Sequence, residues 1–162
     1  MRTGAATILL WLFVLTLGVS FGAGLYESRV VISGWADLQP QSWPNTGLQF
    51  WVYATTVPLT FLTLANSLVA WRDRTPRGPA WRTACMIAVV ERLATFGYFI
   101  PTMLSMMSET SINPDVSATL TQWTWLNHGR HALTLAAWLA ALKALSLSGS
   151  RMRTVLMQSA KG

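Results

Sequence analysis

Four long apolar blocks dominate this chain of 162 residues. Each is about 20 residues or longer, the length that an α-helix needs to cross a hydrocarbon core about 30 Å thick. Hydrophobic residues make up 52% of the chain and charged residues only 11%. We therefore predict an all-α, four-transmembrane-helix bundle forming one domain, with helices at about 5–27, 47–71, 80–107 and 121–147 and a basic tail at 148–162.

The distribution of basic residues predicts the orientation of the bundle. The formal net charge is +6, but the arginines flank apolar blocks, a pattern that sets membrane topology and does not favour nucleic acid as a partner. The connection 72–82 carries four arginines, whereas 108–120 carries none. We predict a multi-pass protein of the bacterial inner (plasma) membrane, contacting membrane lipid, with cytoplasmic termini that contain Arg2, Arg151, Arg153 and Lys161.

The single cysteine, Cys85, excludes an internal disulfide and a CxxC redox pair. Thiol-dependent quinone reductases therefore do not fit this chain. We interpret Cys85 as a small packing residue.

Charged residues inside the apolar blocks are the strongest indication of a site. Arg130 lies near the middle of the fourth block, where an arginine costs about 3 kcal/mol to insert and needs a partner. Glu91 and Arg92 are neighbours in the third block. Neighbours on a helix point about 100° apart, so we expect no direct pair between them. Counting about 1.5 Å per residue puts Glu91 and Arg130 at the same depth, which predicts an ion pair between those two.

Helical periodicity groups further polar residues with these charges. On the fourth helix the shared face predicts a seam of Trp123, Asn127, Arg130 and Thr134, with Trp138 beside it and His131 at its edge. His128 points away, and no third histidine is present, so we predict no metal site. On the third helix Tyr98 and Thr95 lie near Glu91, and on the first a seam of Thr16 and Ser20 ends at Glu27.

Three other features predict local structure. Pro58 should distort the second helix, and Asn66 should form a hydrogen bond to another helix. Trp35 and Trp43, with Pro40 and Pro44, lie in the first connection. Two interpretations of these tryptophans stay open: an interfacial belt at headgroup depth, or a half-buried loop that caps a cavity.

Three segments together resemble a known family. They are FGAGLYESRVV at 21–31, the pair Glu91–Arg92, and W-x-x-L-N-x-x-R at 123–130 followed by LTLAAWLAALKAL. They are similar to the small four-helix membrane proteins grouped with anthrone oxygenases. The family plan implies a glutamate after the Gly/Tyr segment of helix one, matched by Glu27, and a Trp/Asn-or-His/Arg cluster on the last helix, matched by Trp123, Asn127 and Arg130. Its Pro-Trp pair after helix one is replaced here by SGW and SWP.

The resemblance implies a membrane oxidoreductase that oxygenates a flat, lipophilic polycyclic phenol without a cofactor. A general base would take a proton from the substrate, and a cation would stabilise the anion that reduces oxygen. Candidate catalytic residues are Glu27, Glu91, His131 and Arg130. Candidate substrate-binding residues are Arg92, Tyr98, Trp123, Asn127, Thr134 and Trp138.

Two other classes of function remain open on the residues alone. Intramembrane charges also mark binding or transport modules for small lipophilic or anionic molecules. Alternatively, Glu91 and Arg130 could fasten the interior of a structural subunit that assembles with other chains or as a homo-oligomer.

Overall fold

The computed structural model of this chain describes residues 3–43 and 48–159. Within them it contains helices and no strand, and four helices are long and apolar enough to cross a membrane. This confirms the predicted all-α, four-helix architecture. The spanning segments are α1 (Gly4–Asp37), α2 (Trp51–Arg72), α3 (Gly78–Met107) and α4 (Pro114–Ser148).

Two helix boundaries differ from the predicted ones. The first helix is α-helical over Thr3–Tyr26 but continues as a π-helix over Glu27–Val31 and a 3-10 helix over Ile32–Asp37. The last helix begins at Pro114 and not near residue 121, and it continues to Ser159. The cause of its early start is a cap that hydropathy does not register: the Asn113 side-chain oxygen accepts a hydrogen bond from the Val116 N–H at 2.8 Å, and proline follows at the first helical position.

The half of the bundle at the loop end, where residues 73–77 join α2 to α3, is the more tightly packed half. Small residues let the backbones approach there, and α3 and α4 make the most extensive interhelical contact. Cys85 is completely buried in this core, which agrees with a packing role. The core residues include Leu10, Phe13, Leu17, Leu59, Trp81, Ala84, Ala88, Ala137, Ala141 and Ala144.

A buried hydrogen bond between side chains joins α2 to α3. The Trp81 indole N–H donates to the Asn66 side-chain oxygen at 3.0 Å, and the Asn66 amide donates to the Leu62 carbonyl at 2.8 Å and to the Leu9 carbonyl of α1 at 3.4 Å. Both side chains are completely buried. The predicted interhelical role of Asn66 is confirmed, and it extends to three helices.

Arg77 holds the loop end together. Its guanidinium donates to Asp73 at 2.7 Å and to the hydroxyls of Thr7 and Ser148, both at 3.1 Å, so it joins the loop to α1 and α4. It also lies 5.0 Å from the ring of Trp81. The cytoplasmic placement of this end stays a prediction; Arg2 and Lys161 lie outside the described residues.

The other end of the bundle contains three π-helical segments, Glu27–Val31, Trp51–Thr56 and Thr95–Phe99. Two of them directly precede a proline near the start of the next α-helical segment, Pro58 in α2 and Pro101 in α3. Proline has no N–H for the carbonyl four residues earlier and crowds it. The turn before each proline therefore widens, and this is the form taken by the distortion predicted at Pro58.

A double-mutant cycle tests the Asn66–Trp81 bond. We expect Asn66→Leu and Trp81→Phe each to destabilise the detergent-solubilised protein, and the pair to be non-additive by about 0.5–2 kcal/mol, as for interhelical hydrogen bonds in membranes. The measurement is the free energy of unfolding. Additive effects would show that the bond contributes nothing to stability.

The loop end should also respond to acid through Asp73. Partial burial opposes ionisation of Asp73, but hydrogen bonds from Thr75 and Arg77 outweigh it and hold the pKa of Asp73 below its ordinary value of 3.8. A lowered pKa contributes stability that is present above the unfolded value and lost as pH falls through the folded value. In unfolding experiments Asp73→Asn should therefore be less stable than wild type at neutral pH, and the difference should shrink below about pH 4. A difference that is constant from pH 7 to 3 would contradict this.

Candidate functional site

A cavity of about 210 Å³ lies in the half of the bundle that contains the π-helical segments. All three π-helical segments contribute to its wall, and π-turns are frequent at functional sites. Its lining is mainly apolar and aromatic, with Glu27, Arg130, Thr56 and Thr95 as the polar residues. The other lining residues are Trp35, Trp51, Val52, Phe99, Ile100, Met103, Leu104, Met107 and Trp123.

Glu27 is the acidic residue of the cavity. It is the first residue of the π-helical turn of α1, and the Trp51 side chain of α2 donates a hydrogen bond to its carboxylate. Its charge also interacts with that of Arg130. One side of the cavity therefore presents a carboxylate whose position is fixed by a second helix.

Arg130 is the basic residue of the cavity. Its Nε donates to the Asn127 side-chain oxygen at 2.8 Å, and its guanidinium carbon lies 5.1 Å from the centre of the Phe99 ring. Thr134 donates to the Arg130 backbone carbonyl at 3.1 Å. Among the described residues Arg130 forms no salt bridge, although its charge interacts at longer range with those of Glu91 and Glu27. The guanidinium is thus oriented by neutral groups and retains capacity to bind an anion.

Glu91 pairs with its neighbour Arg92, and the expectation that these two cannot meet is wrong. Arg92 Nε donates to Glu91 Oε2 at 2.6 Å and Arg92 Nη2 donates to Glu91 Oε1 at 2.8 Å. The argument from angles fixed only the direction of each Cβ, whereas the long arginine side chain curls back to its neighbour. The predicted Glu91–Arg130 ion pair is accordingly replaced by the Glu91–Arg92 pair.

Thr95 connects the Glu91–Arg92 pair to the cavity. Glu91 and Arg92 are 3% and 7% exposed, and neither lines the cavity. The Thr95 hydroxyl donates to Glu91 Oε1 at 2.9 Å, while Thr95 itself is part of the cavity wall. Because its proton is directed at Glu91, Thr95 presents only lone pairs to the cavity.

Of the ten candidate residues, Glu27, Trp123 and Arg130 line the cavity. Asn127 and Thr134 do not line the cavity, but each forms a hydrogen bond with Arg130. The Tyr98 ring packs edge-on against Phe99, with ring centres 5.2 Å apart. His131 is buried against α1 at Gly24, and Trp138 packs against Gly18 and Phe21. Neither of the last two lines the cavity.

Trp35 and Trp43 cap the cavity end of the bundle. Each is 3% exposed, and their rings stack 4.7 Å apart with an angle of 5° between the planes. The Trp43 indole N–H donates to the Trp35 carbonyl at 2.7 Å, and the Trp35 ring lies 6.1 Å from Trp123. Of the two open interpretations the structure supports the cap; Pro44 lies outside the described residues.

The apolar part of the lining could not be found from polar patterns. Trp51, Val52, Phe99 and Leu104 have no chemistry that distinguishes them from lipid-facing residues. Pro58 and Pro101 were the available signal, since each marks the helical turn that contributes to the wall. Searching near intramembrane prolines would have indicated this region.

His128 and His131 lie in different surroundings. Within the described part of the chain, no group of three or more His, Cys, Asp or Glu residues could hold a metal ion. His128 is exposed and contacts Trp125 edge-on, with ring centres 6.2 Å apart, while His131 is buried. The predicted difference in direction between the two histidines is confirmed.

The contact between α1 and α4 beside the cavity can be tested at Gly24. A Cβ atom there would clash with Cε1 of His131, so Gly24→Ala should destabilise the protein by about 1–3 kcal/mol through overpacking. Gly22→Ala is the matched control, because nothing lies within 4 Å of its Cβ position. Thermal unfolding in detergent measures both. In a His131→Ala background Gly24→Ala should cost little further stability; an equal loss in both backgrounds would place the clash elsewhere.

Comparisons with models of protein families, with characterised proteins and with solved structures found no match for this chain.

Proposed function

We propose that this protein binds a planar lipophilic phenol in the cavity and promotes its oxidation by molecular oxygen, in the manner of the anthrone oxygenases that the sequence resembles. One observation supports this most: a carboxylate, Glu27, and a guanidinium without a salt bridge among the described residues, Arg130, share one aromatic-lined cavity. The proposal includes a place in the bacterial inner membrane, where such substrates dissolve.

In this proposal the base is Glu27 and the cation is Arg130. Glu27 takes a proton from the substrate, and Arg130 stabilises the resulting anion, as preorganised charges do when water is excluded. Asn127 and Phe99 keep the guanidinium in place. Thr95 accepts a hydrogen bond from a substrate hydroxyl, because its own proton is bound to Glu91. Glu91 and Arg92 thereby act as positioning residues.

The proposed reaction converts a methylene group between two aromatic rings into a carbonyl. After deprotonation the substrate anion passes one electron to O2, and the substrate radical and superoxide combine into a peroxide. The peroxide takes back the proton from Glu27, and loss of water leaves the carbonyl, so that CH2 and O2 give C=O and H2O. The substrate anion itself reduces oxygen, so this sequence requires no cofactor.

Oxygen uptake tests the proposal. Purified protein in lipid nanodiscs is mixed with anthrone, and uptake is followed with an oxygen electrode. We expect Glu27→Gln and Arg130→Gln each to lower the enzyme-dependent rate by about 100-fold, the usual contribution of a base or a charge-stabilising group. Glu109→Gln is the matched control, because Glu109 is exposed and does not line the cavity.

Binding is measured in parallel by quenching of tryptophan fluorescence. Uptake that depends on Glu27 and Arg130 supports the proposal. Anthrone binding without oxygen uptake would replace it with a binding or transport module for a small lipophilic or anionic molecule. If anthrone neither binds nor is oxidised, a structural subunit is the remaining interpretation.

A further inference from the structure

Helices α2 and α3 pack together along only part of their length. Val57–Arg72 of α2 contacts Gly78–Ala94 of α3 extensively. Beyond these segments α2 and α3 make no comparable contact among the described residues: Trp51–Thr56 makes its interhelical contacts mainly with α1, while Thr95–Phe99 and Ile100–Met107 pack on α4. A gap therefore separates α2 from α3 in the cavity half.

The gap begins where both helices change their hydrogen bonding. The N–H of Val57 bonds to the carbonyl of Val52, and the N–H of Ile100 bonds to that of Thr95, in both cases five residues back. Pro58 and Pro101 follow directly. Because prolines fix the widened turns on both sides, the gap is built into the covalent sequence.

The cavity lies in this gap and reaches the lipid-facing surface. Val52 and Thr56 line it from α2, and Thr95, Ile100 and Leu104 from α3. Leu104 lines the cavity and is nevertheless 51% exposed. Tyr53 and Phe96, which follow the lining residues Val52 and Thr95 in the sequence, are apolar and 74% and 49% exposed. Along a membrane-spanning helix such a surface contacts acyl chains.

The cap covers the end of the cavity nearest the headgroups. The Trp35 and Trp43 rings are stacked and buried, and the Pro40–Ser42 turn packs on the last segment of α3, Ile100–Met107. A molecule arriving from water would have to displace these tryptophans. Among the residues that line the cavity Leu104 is the exposed one, and its side chain is flexible.

We propose that the gap between α2 and α3 is a lateral entrance, through which a planar lipophilic molecule dissolved in the bilayer reaches Glu27 and Arg130. The class of molecule rests on the proposed function, whereas the entrance rests on helix packing alone. The substrate and its product would then exchange with the lipid phase directly, and the catalytic groups would stay out of contact with bulk water.

Spin labelling of the empty protein tests the entrance without any substrate. In a Cys85→Ala background, Thr56→Cys carries a nitroxide inside the cavity, and the protein is placed in nanodiscs. Collision rates with O2, which concentrates in lipid, and with a water-soluble nickel chelate are measured by power saturation. Two controls on the same helix each lie within one turn of position 56: Tyr53→Cys on the lipid face, 74% exposed, and Leu59→Cys in the core, 0% exposed.

We expect the label at position 56 to collide with O2 nearly as often as the label at 53, several-fold more often than the label at 59, and rarely with the nickel chelate. Frequent collisions with the chelate would place the entrance on the aqueous side and overturn the proposal. Rare collisions with both would show a sealed cavity and overturn it too. Neither result bears on whether the protein oxidises anthrone.

A bulky residue at the gap gives a second, independent measurement. Leu104→Trp should lower the O2 collision rate of the label at position 56 several-fold, because Leu104 lines the cavity and is exposed at the surface. Leu93→Trp is the matched control on the same helix, since Leu93 is 68% exposed and does not line the cavity. Equal rates in the two variants would contradict the assigned position of the entrance.

Discussion

The ion pair between Glu91 and Arg92 determines how charge is distributed in this bundle. A charge inside a membrane helix requires compensation within the protein, and here the two residues compensate each other on one helix, with Thr95 as a further hydrogen-bond donor. If Glu91 instead bound Arg130, Arg92 would need another partner. Because Glu91 pairs with Arg92, Arg130 forms no salt bridge among the described residues, and in the cavity Asn127 and Phe99 orient it.

The two halves of the bundle are stabilised differently. At the loop end, alanine faces, the Asn66–Trp81 bond and the Arg77 contacts hold the helices together. In the cavity half, π-helical turns separate α2 from α3 and leave space between them. A cavity removes packing contacts that would otherwise stabilise the helices. The contacts at the loop end hold the helices together and offset that loss, so the other end can stay open.

Several parts of the fold follow from local patterns, and others do not. The four spans, the interhelical role of Asn66 and the different exposure of His128 and His131 depend on hydropathy and helical period. The early start of α4 was also readable, because Asn113 and Pro114 form a common cap. The choice between a belt and a cap for Trp35 and Trp43 was not readable, since exposed and buried tryptophans have the same sequence pattern.

Hydropathy and helical rise are enough to assign Glu27, Glu91, Arg92 and Arg130 to apolar surroundings, because they fix which residues are within a span and at what depth. Which of these charges meet follows from the folded structure alone. Pairing depends on side-chain rotamers and on the distance between helix axes, and a flexible arginine reaches several neighbours at similar energetic cost. The same reason applies to the cavity: its apolar wall comes from four helices, and no single stretch of sequence specifies it.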